Sequence, residues 1–128
     1  MNDRARRVPL ARVEEVPSQG LVVTYRDGPF EEPAILIRTA DGIRAWKNRC
    51  RHLALRLDCR DPGQLLDRNG NLTCQEHGAT YRPDDGLCIA GPCAGSGLRP
   101  LPVAIEGGIV FLDAEGLSGF LAPLPDSA

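Results

Sequence analysis

The apolar residues of this chain fall into short runs separated by glycine, proline, aspartate and asparagine. Residues 8–13 and 20–25 are rich in Val and Leu and are bounded by turn-forming sequences, a pattern typical of β-strands. No segment holds apolar residues at helical spacing for three turns with credible caps. One short helix, at residues 53–58, is the most helix that the pattern allows.

Four β-hairpins are predicted where two β-prone runs flank turn residues such as Asp-Gly or Asn-Gly. From the N-terminus, the paired runs are 34–38 with 43–47, 64–67 with 71–73, 79–82 with 87–89, and 103–106 with 109–112. In this scheme Trp46 is a core residue on a strand, and Asp84 and Asp85 are turn formers rather than paired catalytic carboxylates. The pattern therefore predicts an all-β protein.

Length and composition fit one folded domain. The chain has 128 residues, of which 42% are hydrophobic and 25% charged, so disorder has no compositional support and a multidomain enzyme is disfavoured. The formal charge of −2 argues against a general nucleic-acid binder. No apolar run is long enough for a signal peptide or a membrane span. We therefore expect a cytoplasmic protein without nucleic-acid or membrane partners.

The charge is segregated along the chain. Residues 44–60 hold six basic residues and one acid, Asp58, a local excess of +5, whereas residues 61–128 hold three basic and nine acidic residues. The charges of such a segment either keep an exposed surface hydrated or bind a partner protein. Arg51 is the best docking candidate.

The five cysteines form an odd number, and without an export signal they are expected to remain thiols. The separation of Cys88 and Cys93 permits a disulfide, which a reducing compartment disfavours. We expect Cys59, Cys88 and Cys93 to be buried, apolar residues.

The remaining two cysteines lie close to the two histidines of the chain, in Cys50-Arg51-His52 and Cys74-Gln75-Glu76-His77. Each pair follows a predicted strand, so both pairs can reach a common centre, and Gly78 lets the backbone approach it. Two thiolates and two imidazoles bind Zn²⁺ or a [2Fe-2S] cluster. A structural Cys₂His₂ zinc module for protein contacts is the alternative. A zinc finger is usually a small unit that folds around its metal, whereas here 21 residues separate the pairs within a β-rich body.

The boxes Cys50-x-His52 and Cys74-x-x-His77-Gly78 resemble the two cluster-binding boxes of the Rieske iron-sulfur family. The likeness runs from about residue 34 to residue 110 and includes Leu57-Asp58, Asp85-Gly86 and Gly91-Pro92. It implies a three-layer antiparallel β sandwich. In this single domain of residues 1–128, a small cluster-binding subdomain, at about residues 46–95, is carried on a basal β domain.

The resemblance also implies roles for individual residues. Cys50 and Cys74 would bind the inner iron of a Rieske [2Fe-2S] cluster, and His52 and His77 the outer, solvent-facing iron. Gly91-Pro92 is similar to the loop that covers the cluster. The interval between the two boxes is longer than in most members, and residues 61–70 account for the surplus.

The expected potential lies at the low end of the Rieske range of about −150 to +300 mV. High-potential members have two further cysteines that form a disulfide, and the resemblance places Leu55 and Glu76 at those positions. Ala79 replaces a serine whose hydroxyl is a hydrogen-bond donor in those members, while Tyr81 keeps a hydroxyl donor. Because the imidazoles on the outer iron can lose a proton, the midpoint potential should fall with pH above the oxidised-state pKa.

With no third histidine, the chain has no residues for a mononuclear catalytic iron site. The resemblance thus implies a ferredoxin-type electron carrier, not an enzyme, which shuttles electrons between a reductase and an oxygenase or other redox acceptor. A small cluster-bearing subunit of a larger oxidoreductase, similar to a nitrite reductase subunit, is the other possibility.

Overall fold

The computed structural model describes residues 7–27, 29–50, 55–93 and 95–113. In these ranges, nine strands and a 3₁₀ turn at Val13–Glu15 account for the regular structure. The strands are β1 (Arg7–Arg12), β2 (Leu21–Asp27), β3 (Phe30–Thr39), β4 (Gly42–Lys47), β5 (Leu72–Thr73), β6 (Thr80–Tyr81), β7 (Cys88–Ala90), β8 (Val103–Glu106) and β9 (Ile109–Asp113). The all-β class is therefore confirmed.

The strands form three antiparallel sheets of three strands each. We call them the basal sheet (β1-β9-β8), the central sheet (β2-β3-β4) and the tip sheet (β5-β6-β7). One apolar cluster joins the basal and central sheets, and a second joins the central and tip sheets. The molecule thus has the expected three layers, with the central sheet in the middle.

The central strand β3 shows how the sequence produces this layering. Ala34 and Leu36 pack in the cluster shared with the basal sheet, whereas Ile35 and Ile37 pack in the cluster shared with the tip sheet. All four are at most 1% exposed. Because successive side chains of a strand point to opposite faces, a strand buried on both faces needs an uninterrupted apolar run.

Three of the four predicted hairpins are present as pairs of strands. In the fourth, residues 64–67 form no strand, and the pairing with residues 71–73 is reduced to one antiparallel bridge, Leu66 with Leu72, and two flanking backbone hydrogen bonds. The Asp67 carboxylate accepts the backbone N–H groups of Asn69 and Asn71 at 2.8 and 3.0 Å. These hydrogen bonds from the Asp67 side chain stabilise the turn. The carbonyl of Gln64 accepts a hydrogen bond from the Gln75 side chain and not from the backbone of a neighbouring strand.

Other expectations have mixed outcomes. Trp46, Cys88 and Cys93 are buried as expected, but Cys59 is exposed, because it follows Asp58 in a turn whose interior is filled by that carboxylate. Residues 55–58 are not helical, while 53 and 54 lie outside the described residues. The subdomain boundaries stay a prediction. No helix in the described ranges is long and apolar enough to cross a bilayer.

Candidate metal centre

Cys50 lies at the end of a short connection from β4 and is 4% exposed. Its backbone N–H donates to the carbonyl of Leu55 at 2.7 Å, which closes the first box at its base. Two residues earlier, the Asn48 N–H donates to the carbonyl of Pro33 at 2.9 Å. The first box is therefore anchored to the central sheet. Arg51 and His52 lie outside the described residues.

A buried polar pair, Asn48 and Asp58, fixes the far side of this box. The Asn48 side chain donates to the Asp58 carboxylate at 2.9 Å and accepts the N–H of Leu57 at 2.8 Å. Arg56 donates to both carboxylate oxygens at 3.1 and 3.2 Å, and the N–H of Gly63 completes the set at 2.9 Å. We call this group the Asp58 clamp.

The charge of Asp58 is stabilised within the clamp. Burial by itself raises the pKa of this carboxyl, but the hydrogen bonds from Arg56, Gly63 and Asn48 outweigh burial and leave the pKa below its ordinary value. Asp58 is therefore ionised near neutral pH, as its four hydrogen-bond donors require.

Cys74 begins the second box, directly after β5, and is 2% exposed. Its N–H donates to the carbonyl of Ala79 at 2.8 Å, and its carbonyl accepts the N–H of Gly78 at 2.9 Å. Gly78 has a φ of +75°, a conformation that suits glycine. This tight loop places His77 at the surface.

The two boxes are joined by Gln75. Its N–H donates to the carbonyl of Leu57 at 2.9 Å. Its side-chain oxygen accepts the N–H groups of Arg60 and Asp61 at 2.7 and 2.6 Å, while its amide nitrogen donates to the carbonyls of Asp61 and Gln64. The segment that lengthens the interval between the boxes is thereby bound to the second box.

The structure brings the Cys50 and Cys74 thiols together in the cluster under the tip sheet. Burial raises the pKa of Cys74, the adjacent Cys50 thiol raises it further, and the N–H groups of Glu76 and His77 act in the opposite direction. The Tyr81 hydroxyl lies 3.4 Å from Cys50 Sγ. Two buried thiols surrounded by N–H and O–H donors form a site for metal-bound thiolates.

A third loop, which begins at Gly91, packs against the second box. A Cβ atom on Gly91, whose φ is +94°, would lie 2.7 Å from the Cα of Ala79, so the two backbones touch at this point. Cys93 follows in the same loop and is buried in the apolar cluster that contains Cys50 and Tyr81.

Of the four sequence-predicted ligands, the structure describes three: buried Cys50 and Cys74, and exposed His77. Among the described residues, no three His, Cys, Asp or Glu side chains are arranged to hold a single metal ion. Neither Asn48 nor Gln75 was predicted to belong to the site, and Cys93 was expected only to be a buried, apolar residue. For Asn48 the signal was its position two residues before Cys50.

A comparison with known protein families decides what kind of centre this is. A model of the Rieske [2Fe-2S] domain matches residues 6–106. The chain belongs to the Rieske [2Fe-2S] domain family. Its cofactor is accordingly a Rieske-type [2Fe-2S] cluster rather than zinc, and the donor set fits it, because two adjacent buried thiols precede an exposed imidazole.

The chain also matches part of a longer oxidoreductase. The chain is 35% identical over 85 residues to the oxidoreductase NdmD of Pseudomonas putida, and the match covers 66% of this chain and 13% of the relative. This Rieske domain therefore spans a small part of that longer protein.

Solved structures show the same fold. The terminal oxygenase of carbazole 1,9a-dioxygenase from Nocardioides aromaticivorans IC177 matches with a TM-score of 0.66 at 26% identity, over 84% of this chain and 29% of the oxygenase chain. A ferredoxin of Sphingomonas yanoikuyae B1 matches with a TM-score of 0.66 at 20% identity, over 84% of this chain and 97% of the ferredoxin. The Rieske domain here thus has nearly the extent of that ferredoxin.

Proposed function

We propose that this Rieske domain is a one-electron carrier that transfers electrons between a reductase and an oxygenase or other redox acceptor. The observation that carries the proposal is the placement of Cys50 and Cys74 as adjacent buried thiols, with an exposed His77 three residues after Cys74. Cys50, His52, Cys74 and His77 are the proposed ligands.

The proposed ligands divide into two pairs. Cys50 and Cys74, in the apolar cluster, would hold the inner iron away from water. His52 and His77 would hold the outer iron, and the exposure of His77 would give a partner protein access to that side. The bound cluster supplies reversible one-electron chemistry at a potential raised by the neutral imidazoles. The Asp58 clamp and Gln75 keep the two boxes at a fixed separation.

The chain itself is proposed to carry out no catalysis. A mononuclear iron site requires two histidines and a carboxylate, and both histidines of these 128 residues are assigned to the cluster. A reducing compartment such as the cytoplasm suits the five free thiols.

Purification without oxygen, followed by visible absorption, electron paramagnetic resonance and iron analysis, tests the proposal. We expect a brown protein with about two irons per chain and the spectrum of a mixed-ligand cluster. His77→Ala and Cys74→Ser should each abolish the cluster. Cys59→Ser and Cys88→Ser are matched controls, because they remove an exposed and a buried thiol outside the boxes, and both should keep the full spectrum.

A colourless protein with stoichiometric zinc would contradict the proposal, as would a fully loaded His77→Ala variant. A second candidate, a domain of a larger oxidoreductase, is favoured by the 13% coverage of the Pseudomonas relative. Reduction by a separately purified ferredoxin reductase, followed by oxidation by an oxygenase, supports the free carrier. Efficient reduction only when the domain is fused to its reductase supports the second candidate.

A further inference from the structure

Gln75 stands inside the second box, between its two proposed ligands, and its side chain is bound to a different part of the chain. The side-chain oxygen accepts the N–H groups of Arg60 and Asp61 at 2.7 and 2.6 Å. The side-chain nitrogen donates to the carbonyls of Asp61 and Gln64 at 3.1 and 2.8 Å. One amide group thus makes four hydrogen bonds to the backbone, which use both of its lone pairs and both of its N–H donors.

The segment that receives these hydrogen bonds, residues 60–64, is called the brace below, and it is held from its other side. The Gly63 N–H donates to the Asp58 carboxylate of the clamp at 2.9 Å. Directly after the brace, Leu65 is 1% exposed, and its carbonyl accepts the N–H of Thr73 at 2.9 Å. The brace is therefore tied both to the clamp of the first box and to β5, so it offers Gln75 a fixed support.

The main chain of Gln75 makes a further connection to the first box. Its N–H donates to the carbonyl of Leu57 at 2.9 Å, and the N–H of Leu57 donates to the Asn48 side chain at 2.8 Å. Leu57 and Asn48 are both fully buried. The second box is thus fixed to the first through the main chain of Gln75 as well as through its side chain.

We propose that Gln75 is a positioning residue: through the brace it holds the second box in one conformation, so that His77 keeps a single orientation towards the outer iron and the cluster is retained. The proposal rests on the function proposed above. An imidazole binds a metal well only when its ring is aligned with it, and groups outside the ligand set supply that alignment. Because Gln75 lies two residues before His77 in a tight loop, freedom at Gln75 becomes freedom of the proposed ligand.

Gln75→Met tests the proposal, because the new side chain has nearly the same length and lacks all four hydrogen bonds. Release of iron from the holoprotein to a chelator, followed by the loss of visible absorption, should be at least about tenfold faster than in the wild type. Gln64→Met is the matched control, because it makes the same replacement within the brace while the Gln64 carbonyl still accepts from Gln75. It should release iron at the wild-type rate, and equal acceleration in both variants overturns the proposal.

Pulsed electron paramagnetic resonance of the reduced protein, with ¹⁵N-labelled histidine, separates positioning from a general loss of stability. The wild-type spectrum should contain two sets of nitrogen couplings, one for each proposed histidine ligand. In Gln75→Met one set should broaden, because His77 adopts several orientations, while the set from His52 should keep its width. Unchanged widths, or equal broadening of both sets, overturn the proposal.

Amide hydrogen exchange gives a readout that does not depend on the spectrum of the cluster. The N–H groups of Arg60 and Asp61 should exchange faster in Gln75→Met than in the wild type or in Gln64→Met, because they lose their acceptor. Faster exchange with wild-type iron release and couplings would show that the brace stabilises the fold alone, which overturns the proposal.

If Gln75→Met does not fold, Gln75→Asn takes its place, because it keeps the polar amide on a side chain one carbon too short for the brace. The same changes in iron release and couplings are expected for it. All comparisons start from samples with full iron content. A wild-type protein without a cluster contradicts the proposed function, whereas a loaded variant with wild-type release and couplings contradicts only the role of Gln75.

Discussion

At the residue scale, Asp58 shows how one buried charge organises the first box. Its side chain is fully buried, yet it receives hydrogen bonds from Asn48, Arg56 and the backbone of Gly63. A buried carboxylate is costly unless each lone pair has a donor, and the charged form is then the stable one. Asp58 is also the only acidic residue among the six basic residues of positions 44–60. This unusual position in the sequence already indicated that its carboxylate has a specific role.

Asp58→Asn should lower the free energy of unfolding at pH 7 by about 2 kcal/mol, because an amide nitrogen would face the donors of the clamp. The folded-state pKa of Asp58 lies below its ordinary value of 3.8. Its contribution is therefore complete above that value and is lost as the pH falls through the folded-state pKa. Denaturant unfolding should show a constant difference between pH 7 and about pH 5 that shrinks below about pH 4.

Asp61→Asn is the control for this measurement, since it removes an exposed carboxylate three residues away. It should change the unfolding free energy by less than about 0.5 kcal/mol. A wild-type-like Asp58→Asn variant, or a difference that grows towards low pH, would contradict the assigned role of the clamp.

At the scale of elements, the features that depend on neighbouring residues alone were predicted correctly from the sequence. The β3–β4 hairpin follows from Asp41-Gly42, and each of the two boxes is a short continuous segment, so both features could be predicted from the sequence. The burial of Cys93 in the same apolar cluster as Cys50 brings together residues 43 positions apart and depends on how the third loop packs, for which the sequence holds no signal. The same reason explains the exposed Cys59: burial of a turn residue is decided by its tertiary neighbours.

The third hairpin offers a test of such packing. Gly86, with φ of +73°, lies under the ring of Trp46, and a Cβ atom there would be 2.7 Å from a ring carbon. Trp46 is itself fixed by a 3.1 Å hydrogen bond from its indole nitrogen to the carbonyl of Pro83. The turn of the tip sheet is thereby locked against the central sheet.

Gly86→Ala should lower the free energy of unfolding by about 3 kcal/mol, of which about 1 kcal/mol is left-handed strain and the rest the collision with Trp46. Gly70→Ala is the matched control, since φ is +82° there but nothing lies within 4 Å of the added atom, and it should cost only the strain. The fluorescence of Trp46, the single tryptophan, should change in Gly86→Ala alone. Equal losses in the two variants would show that the ring moves aside freely.

At the scale of the whole molecule, the fold redistributes the charge that the sequence segregates. Four of the six basic residues between positions 44 and 60 face an acid: Arg44 with Asp41, Arg49 with Glu32, Arg56 with Asp58, and Arg60 with Glu76. Most of these acids come from outside the segment. The local excess of +5 is therefore largely compensated on the folded surface, and docking through Arg51, which lies outside the described residues, stays a prediction.

This compensation predicts how electron transfer responds to charge. The Glu76 carboxylate, next to His77, is held by Arg60 at 2.9 Å, so Glu76→Gln leaves an uncompensated positive charge beside the exposed edge of the cluster site. In water a unit charge about 10 Å from a reacting anion contributes about 0.4 kcal/mol, multiplied by the charge of the anion. Oxidation of the reduced protein by ferricyanide should therefore be several-fold faster in Glu76→Gln at low ionic strength.

The gain should disappear at about 1 M salt, where the screening length falls to about 3 Å. Glu106→Gln makes the same charge change beside Arg7 in the basal sheet and should leave the rate nearly unchanged. Stopped-flow rates are compared with midpoint potentials measured on the same samples. This separates a change in the driving force of electron transfer from a change in how often ferricyanide meets the cluster site. Equal acceleration by both variants would mean that net charge, and not the Arg60–Glu76 pair beside His77, controls access to the cluster.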